Sequence, residues 1–218
     1  MILADRFLQS FINLNYTQMK KIIVSCAVLL TLFAFTVLPD ELSIGSSIPN
    51  ASKKMKDISG KEYSFSDVKK KNGLLVVFSC NTCPWVVKNQ QVAAEGYGYA
   101  LSKEIGVIVL NSNETSRGGD DSPARMKEYA AAQGYKYPYV MDDNSAMADA
   151  FGARVTPECY LFDKDMKLVY HGAITDNPKT PSASTRDHLK VAIDEMVGGK
   201  DVSMKTSKAM GCGIKRKS

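Results

Sequence analysis

The chain has 218 residues, room for one ordinary domain with extensions, and its 44% apolar content is enough to build a core. With 23% charged residues, it has neither a disordered nor, overall, a membrane-type composition. The formal net charge of +5 is modest and gathers at the ends, with no aromatic residues interleaved, which argues against nucleic acid as a partner.

Residues 1–18 carry no strong pattern. Met19-Lys20-Lys21 then opens an apolar run over residues 22–38, broken by Pro39. A basic start followed by a hydrophobic stretch reads as a secretory signal, with Met19 resembling a true start. The run is just short of a comfortable membrane span, so an uncleaved N-terminal anchor is the alternative reading. Both readings predict an exported protein, periplasmic if the source is bacterial, with membrane contact only through that anchor. Cys26 lies inside the run without the small-residue context of a lipid-attachment site and reads as apolar filler. The predicted division is a leader at 1–39, one folded domain at 40–199 and a basic tail at 200–218.

Residues 39–73 are polar and rich in turn formers. Two short alternating runs around Ser59-Gly60 predict a β-hairpin, and Lys69-Lys70-Lys71-Asn72-Gly73 a solvated loop. Next come Leu74-Leu75-Val76-Val77-Phe78, a continuous apolar run that predicts a fully buried strand. A short turn, Ser79-Cys80-Asn81-Thr82-Cys83, leads to Pro84. Proline suits the first helical position, because its fixed φ fits and its missing N–H had no partner there. A cysteine just before it sits at a helix N-terminus, where unpaired amides favour thiolate over thiol. Strand, Cys-x-x-Cys and helix make the layout of a redox-active dithiol. Two other readings compete: half of a zinc site, or inert buried cysteines. Zinc would need a second Cys or His pair, but Cys26, Cys159 and Cys212 are isolated and the histidines are His171 and His188.

After Pro84, Val86, Ala93, Tyr97, Leu101 and Ile105 keep helical spacing, ended by Gly106, with a kink or close packing predicted at Gly96 and Gly98. Residues 107–110 predict a second buried strand and hence a right-handed βαβ unit. Asp121-Ser122-Pro123 predicts a helix start, and Tyr137-Pro138-Tyr139-Val140-Met141 an edge strand. Asn144 is the predicted cap of a short helix reaching Phe151. Cys159 to Phe162 and Lys167 to Tyr170 predict an antiparallel hairpin, in which Cys159 is buried. A final amphipathic helix spans 185–197, and the tail after it, without periodicity, reads as flexible and solvated. The acidic pairs Asp120-Asp121 and Asp142-Asp143 sit where caps and loops want Asp.

In this order, residues 43–199 resemble the thioredoxin-like redoxins of the alkyl-hydroperoxide-reductase/thiol-specific-antioxidant type. The resemblance is carried by Phe78-Ser79-Cys80-Asn81-Thr82-Cys83-Pro84-Trp85, Asn111-Ser112-Asn113, Asp121-Ser122-Pro123, Tyr137-Pro138-Tyr139 with Asp142-Asp143, Phe151-Gly152-Ala153 and Thr156-Pro157-Glu158. Gly211-Cys212-Gly213-Ile214-Lys215 is similar to a C-terminal ending seen in one branch of the group. The resemblance implies an α/β fold of the thioredoxin-like kind, a central mixed sheet flanked by helices, here with an N-terminal hairpin extension. It also implies a cis bond between Thr156 and Pro157, in a loop that faces the dithiol and holds a substrate chain. Two patterns of the wider group are missing. Thioredoxin's Trp-Cys-Gly-Pro-Cys is absent, and the peroxiredoxin Pro-x-x-x-Thr/Ser-x-x-Cys has Val76 and Cys80 in its Pro and Thr positions.

The function expected on this basis is thiol–disulfide exchange through a mixed disulfide with protein or small-molecule thiols and disulfides, without a cofactor or a metal. A thiol peroxidase is the enzymatic alternative, and a metal-binding or redox-sensing module the non-enzymatic one. In thioredoxin-like proteins the attacking cysteine typically follows the strand's final Phe by five residues, which points from Phe78 to Cys83. Cys83 is therefore the expected nucleophile, Cys80 its disulfide partner, and Thr156 and Pro157 the facing loop. Glu158 is a candidate for assisting proton transfer. Cys212 is either an auxiliary resolving thiol or an inert one. Copper-delivery relatives of this fold pair two cysteines with a histidine, but at another cysteine spacing, so His171 reads as an ordinary surface residue.

Overall fold

A computed structural model describes residues 40–217. The leader and its signal or anchor therefore lie outside the described residues. No helix among the described residues is long and apolar enough to cross a membrane.

The predicted hairpin forms from β1 (Met55–Lys56) and β2 (Glu62–Tyr63), paired antiparallel. Its second run stops earlier than the alternation suggested, because Ser64 and Asp67 form a reciprocal capping box that starts α1 (Phe65–Val68). The buried apolar run becomes β3 (Gly73–Ser79), in which every residue is buried. Two helices follow, α2 (Pro84–Lys88) and α3 (Gln90–Ser102). The break falls at Asn89 rather than at the glycines. The Asn89 side-chain amide donates to the Trp85 carbonyl at 2.9 Å and to the Pro178 carbonyl at 3.0 Å, holding the bend in a buried position. Gly96 instead serves close packing, since a Cβ there would lie 3.1 Å from Leu189.

Ile105 and Gly106 belong to β4 (Ile105–Asn111), not to the preceding helix. The helix ends at Ser102, and Glu104 takes a left-handed φ of 55° to turn the chain into the strand. Gly106 is needed here because a Cβ would sit 2.0 Å from the Val68 carbonyl oxygen. There follow α4 (Pro123–Ala132), β5 (Tyr139–Met141), α5 (Ala146–Phe151), β6 (Val155–Thr156), β7 (Glu158–Phe162), β8 (Leu168–Gly172), α6 (His188–Val197) and β9 (Cys212–Gly213). Asn144 does not cap α5. It and Ser145 are left-handed, and the Asp142 carboxylate takes the Met147 and Ala148 amides at 2.8 and 2.9 Å. The last helix begins at His188 instead of Thr185, because Asp187 caps it by accepting the Lys190 amide.

The sheet order is β5-β4-β3-β7-β8, with β3, β4 and β5 parallel and β7 and β8 antiparallel. This is the mixed central sheet that the family resemblance implies, with β5 at the edge. Alternation along β3 fills two cores. Leu75 and Val77 pack with α3, α4 and α6, while Leu74, Val76 and Phe78 pack with α1 and α5. Each fully buried Val, Leu or Phe contributes about 1.5–3 kcal/mol, so the strand that delivers the cysteines is firmly held by both cores.

The tail is not a solvated extension. Val202 is buried against the first core and Ile214 against the second. Between them the chain bridges Thr206 to His171 beside β8, then pairs β9 antiparallel with β6, placing Cys212 opposite Thr156. Apolar residues spaced this widely show no period in sequence, but each finds a pocket prepared by distant elements.

Candidate functional site

The Cys-x-x-Cys turn leaves the carboxyl end of β3 and enters α2. Cys83 is the N-cap residue, with extended backbone (φ −63°, ψ 125°) and Pro84 in the first turn. Both Cys80 and Cys83 are buried and pack with Val86, Trp85, Tyr129 and Cys212.

Cys83 is joined to Cys212 by a disulfide with S–S 2.26 Å and Cα–Cα 6.1 Å, across 129 residues of sequence. Cys80 and Cys159 are free and buried. The oxidised pair is therefore not the Cys-x-x-Cys pair expected from the sequence, and Cys80 stays a thiol beside the bond. The reason lies in the tail, whose strand β9 lays Cys212 against Thr156, next to Cys83. Cys159, paired in register with Val77, points into the first core, and burial pushes its thiol far above the ordinary value.

Thr156 touches both members of the motif. Its hydroxyl lies 3.3 Å from the Cys80 sulfur, and its carbonyl oxygen is 3.4 Å from the Cys83 sulfur. The Thr156–Pro157 bond is cis, as the family resemblance implied. Burial raises the Cys80 thiol above its ordinary value, partly offset by the Thr156 hydroxyl and by the Cys83 and Thr82 amides.

Beneath the turn runs a buried polar network that sequence reasoning missed. Asp121, fully buried, accepts from the Asn81 amide at 3.0 Å, the Asn111 side chain at 2.8 Å and the Asn113 side chain at 3.0 Å. The Tyr139 hydroxyl donates to the Asn81 side-chain carbonyl at 2.9 Å and accepts from the Asn111 amide at 3.0 Å. The first residue between the two cysteines is thus pinned to β4, β5 and the start of α4. The cap of α4 is Ser122 rather than Asp121, which faces inward and is fully buried. Its signal was the pair of blocks Asn111-Ser112-Asn113 and Asp121-Ser122-Pro123, whose side chains meet only once the sheet is formed.

Glu158 is buried, and its carboxylate accepts from the Arg154 and Val155 amides at 3.0 and 3.4 Å. Among the described residues, none of its hydrogen bonds goes to a cysteine. Its other neighbours are Tyr160, Glu41 and His171; Glu41, Glu158 and His171 place one ligand atom each within 4.8 Å of one another. His171 is not a surface residue. It is 6% exposed, stacks on Tyr160, and places Nδ1 3.1 Å from the Glu41 carboxylate. Burial, helped by the Glu41 charge, raises Glu158 above its ordinary value of 4.5. An acid raised in the folded state contributes stability that is full below 4.5 and is lost as pH rises through its folded value. Replacing Glu158 with Gln, which cannot ionise, should therefore shift the urea midpoint increasingly in the variant's favour as pH rises from 4.5 toward neutrality. A midpoint difference that stays constant with pH would contradict this.

Comparison with known proteins places these features among thiol chemistry proteins. The Redoxin family model matches residues 43–188. The thiol-disulfide oxidoreductase ResA of Bacillus subtilis (strain 168) is 24% identical over 149 residues, 68% of this chain and 78% of ResA. The crystal structure of an uncharacterized conserved protein from Geobacillus kaustophilus superposes with a TM-score of 0.75 at 30% identity, covering 82% of this chain and 94% of that one. A hypothetical protein from Sinorhizobium meliloti 1021 gives a TM-score of 0.73 at 29% identity over 82% of this chain and 97% of its own. The fold is thioredoxin-like.

Proposed function

The chain belongs to the redoxin family and is a thiol–disulfide oxidoreductase, and on that premise we propose that Cys83 is its attacking thiolate. Cys83 attacks a disulfide of a protein or small-molecule partner and forms a mixed disulfide. A second thiol of this chain, Cys80, then releases the partner as a thiol and closes an internal disulfide. The observation that carries this reading is the placement of the two sulfurs. Cys83 stands before Pro84 at the helix start and is the sulfur already engaged in a disulfide, whereas Cys80 is the buried free thiol behind it. Thr156, in contact with both, supports the reading as the loop residue that aligns a partner chain.

The competing reading is peroxide reduction. A peroxidase needs hydrogen-bond donors arranged around the peroxide. At the position of the missing threonine, counting back from Cys83, stands the Cys80 thiol. The reduced protein is expected to reduce a model disulfide such as insulin faster than it consumes hydrogen peroxide under the same thiol supply. The reverse ranking would favour the peroxidase reading.

The protein is exported, on the support of Met19-Lys20-Lys21 and the apolar run behind it. Fractionation of the native host should find it outside the cytosol or on the membrane, and recovery of the full-length chain from the cytosol would refute export.

A further inference from the structure

We propose that Cys212 is a third redox-active cysteine, carried by a tail that docks on β6 as a resident surrogate for a substrate peptide and is released by disulfide exchange with Cys80. The inference rests on Cys83 being the central sulfur of the proposed function. The tail approaches the site as an added strand, Val155 opposite Gly213 and Thr156 opposite Cys212, which is how an extended peptide joins an exposed edge. Its sequence is fitted to that edge. A Cβ at Gly211 would lie 2.2 Å from the Thr156 carbonyl oxygen, so only glycine allows the approach, while Gly213 has open space. Beyond the cysteine, Ile214 is 8% exposed in the second core, and the Lys215 amide donates to the Asn113 side chain at 2.9 Å. Arg216 closes the attachment through the Asp149 carboxylate at 2.7 Å and the Ala153 carbonyl at 2.6 Å. Asn113 also binds Asp121, so the network under the Cys-x-x-Cys turn and the tail share a residue.

The exchange balances within the chain. The Cys80 sulfur, as thiolate, attacks the Cys83 sulfur. A Cys80–Cys83 bond forms, and the Cys83–Cys212 bond breaks with its electron pair on Cys212. The proton given up by Cys80 ends on the Cys212 thiolate, and the Thr156 hydroxyl at 3.3 Å from Cys80 is placed to carry it. One disulfide and one thiol stand on each side, so no outside oxidant or reductant takes part. The oxidised protein then has two forms: one with the tail tethered over β6, and one with the Cys-x-x-Cys disulfide formed and the β6 edge open to an extended cysteine-bearing segment of a partner protein.

The test is disulfide mapping of the full chain after one equivalent of diamide, with acid quenching and alkylation. Wild type should yield both Cys83–Cys212 and Cys80–Cys83. Gly211→Val, which changes no cysteine, should lower the ratio of the first to the second about tenfold or more through the backbone clash. Cys80→Ser should hold Cys83–Cys212 as its sole disulfide. Cys212 free in every oxidised wild-type sample, or a ratio unchanged in Gly211→Val, would overturn the inference and leave Cys83 as nucleophile untouched. A dominant Cys80–Cys212 bond would overturn both, because Cys83 would no longer be the central sulfur.

Discussion

Replacing Cys83 with Ser is expected to reduce disulfide exchange to background, while the Cys80→Ser/Cys212→Ser double variant keeps the first half-reaction and accumulates mixed disulfide with its substrate. The asymmetry follows from the division of labour between the sulfurs. An attacking group is lost outright when its sulfur becomes a hydroxyl of far weaker nucleophilicity. A resolving thiol is needed only after the bond to the substrate has formed. The measurement is insulin reduction for turnover, together with intact mass after incubation with a small disulfide. The Cys80→Ser/Cys212→Ser protein should carry one adduct on Cys83, and Cys83→Ser should carry none that forms rapidly. Adduct formation at Cys80 in the Cys83→Ser protein, at the wild-type rate, would reverse the assignment. Cys80→Ser alone should lose its adduct to the Cys83–Cys212 disulfide, because Cys212 is the thiol that pairs with Cys83 in the structure.

The second large effect is structural. Asp121→Ala should destabilise the protein by about 3 kcal/mol or more, from roughly 1–3 kcal/mol for each buried donor left without its acceptor. Three donors are at stake: the Asn81 amide and the side chains of Asn111 and Asn113. Because Asn81 lies between the cysteines, the variant should also loosen the turn and raise the alkylation rate of the buried Cys80 in the native protein. Urea unfolding gives the stability loss, and mass-mapped labelling of Cys80 gives the local one. A loss below about 1 kcal/mol would mean that the network contributes little beyond a single ordinary hydrogen bond.

What could be read from the sequence was whatever local pattern decides. β3 and β4 were legible because strands buried on both faces are continuous apolar runs, and the turn at Cys80–Cys83 because Pro84 marks a helix start. The buried state of Cys159 followed from its place in a strand facing a core. Features that depend on distant elements were not legible. Ile105 fits the helical spacing of the preceding segment, but Gly106 must pass close to the Val68 carbonyl, and that packing starts the strand earlier. His171 looked like a surface residue because nothing near it in sequence covers it; Glu41 from before the hairpin and the bridge to Thr206 from the tail do so. The tail itself hid best. Its pairing with β6 lasts two residues, too short for any alternation to show, and its disulfide joins cysteines 129 residues apart. The one clue to it was Gly211-Cys212-Gly213, where the glycine before the cysteine allows the backbone to approach Thr156 closely.

The account turns on which sulfur attacks, and competitive labelling of the reduced wild-type protein tests that most directly. A limiting amount of iodoacetamide, added across a range of pH and followed by peptide mapping, reports each thiolate separately. The prediction is that label appears first on Cys83, with a midpoint below that of an ordinary thiol, while Cys80 and Cys159 label slowly until the protein unfolds. Preferential labelling of Cys80 near neutral pH, with Cys83 slow, would contradict it.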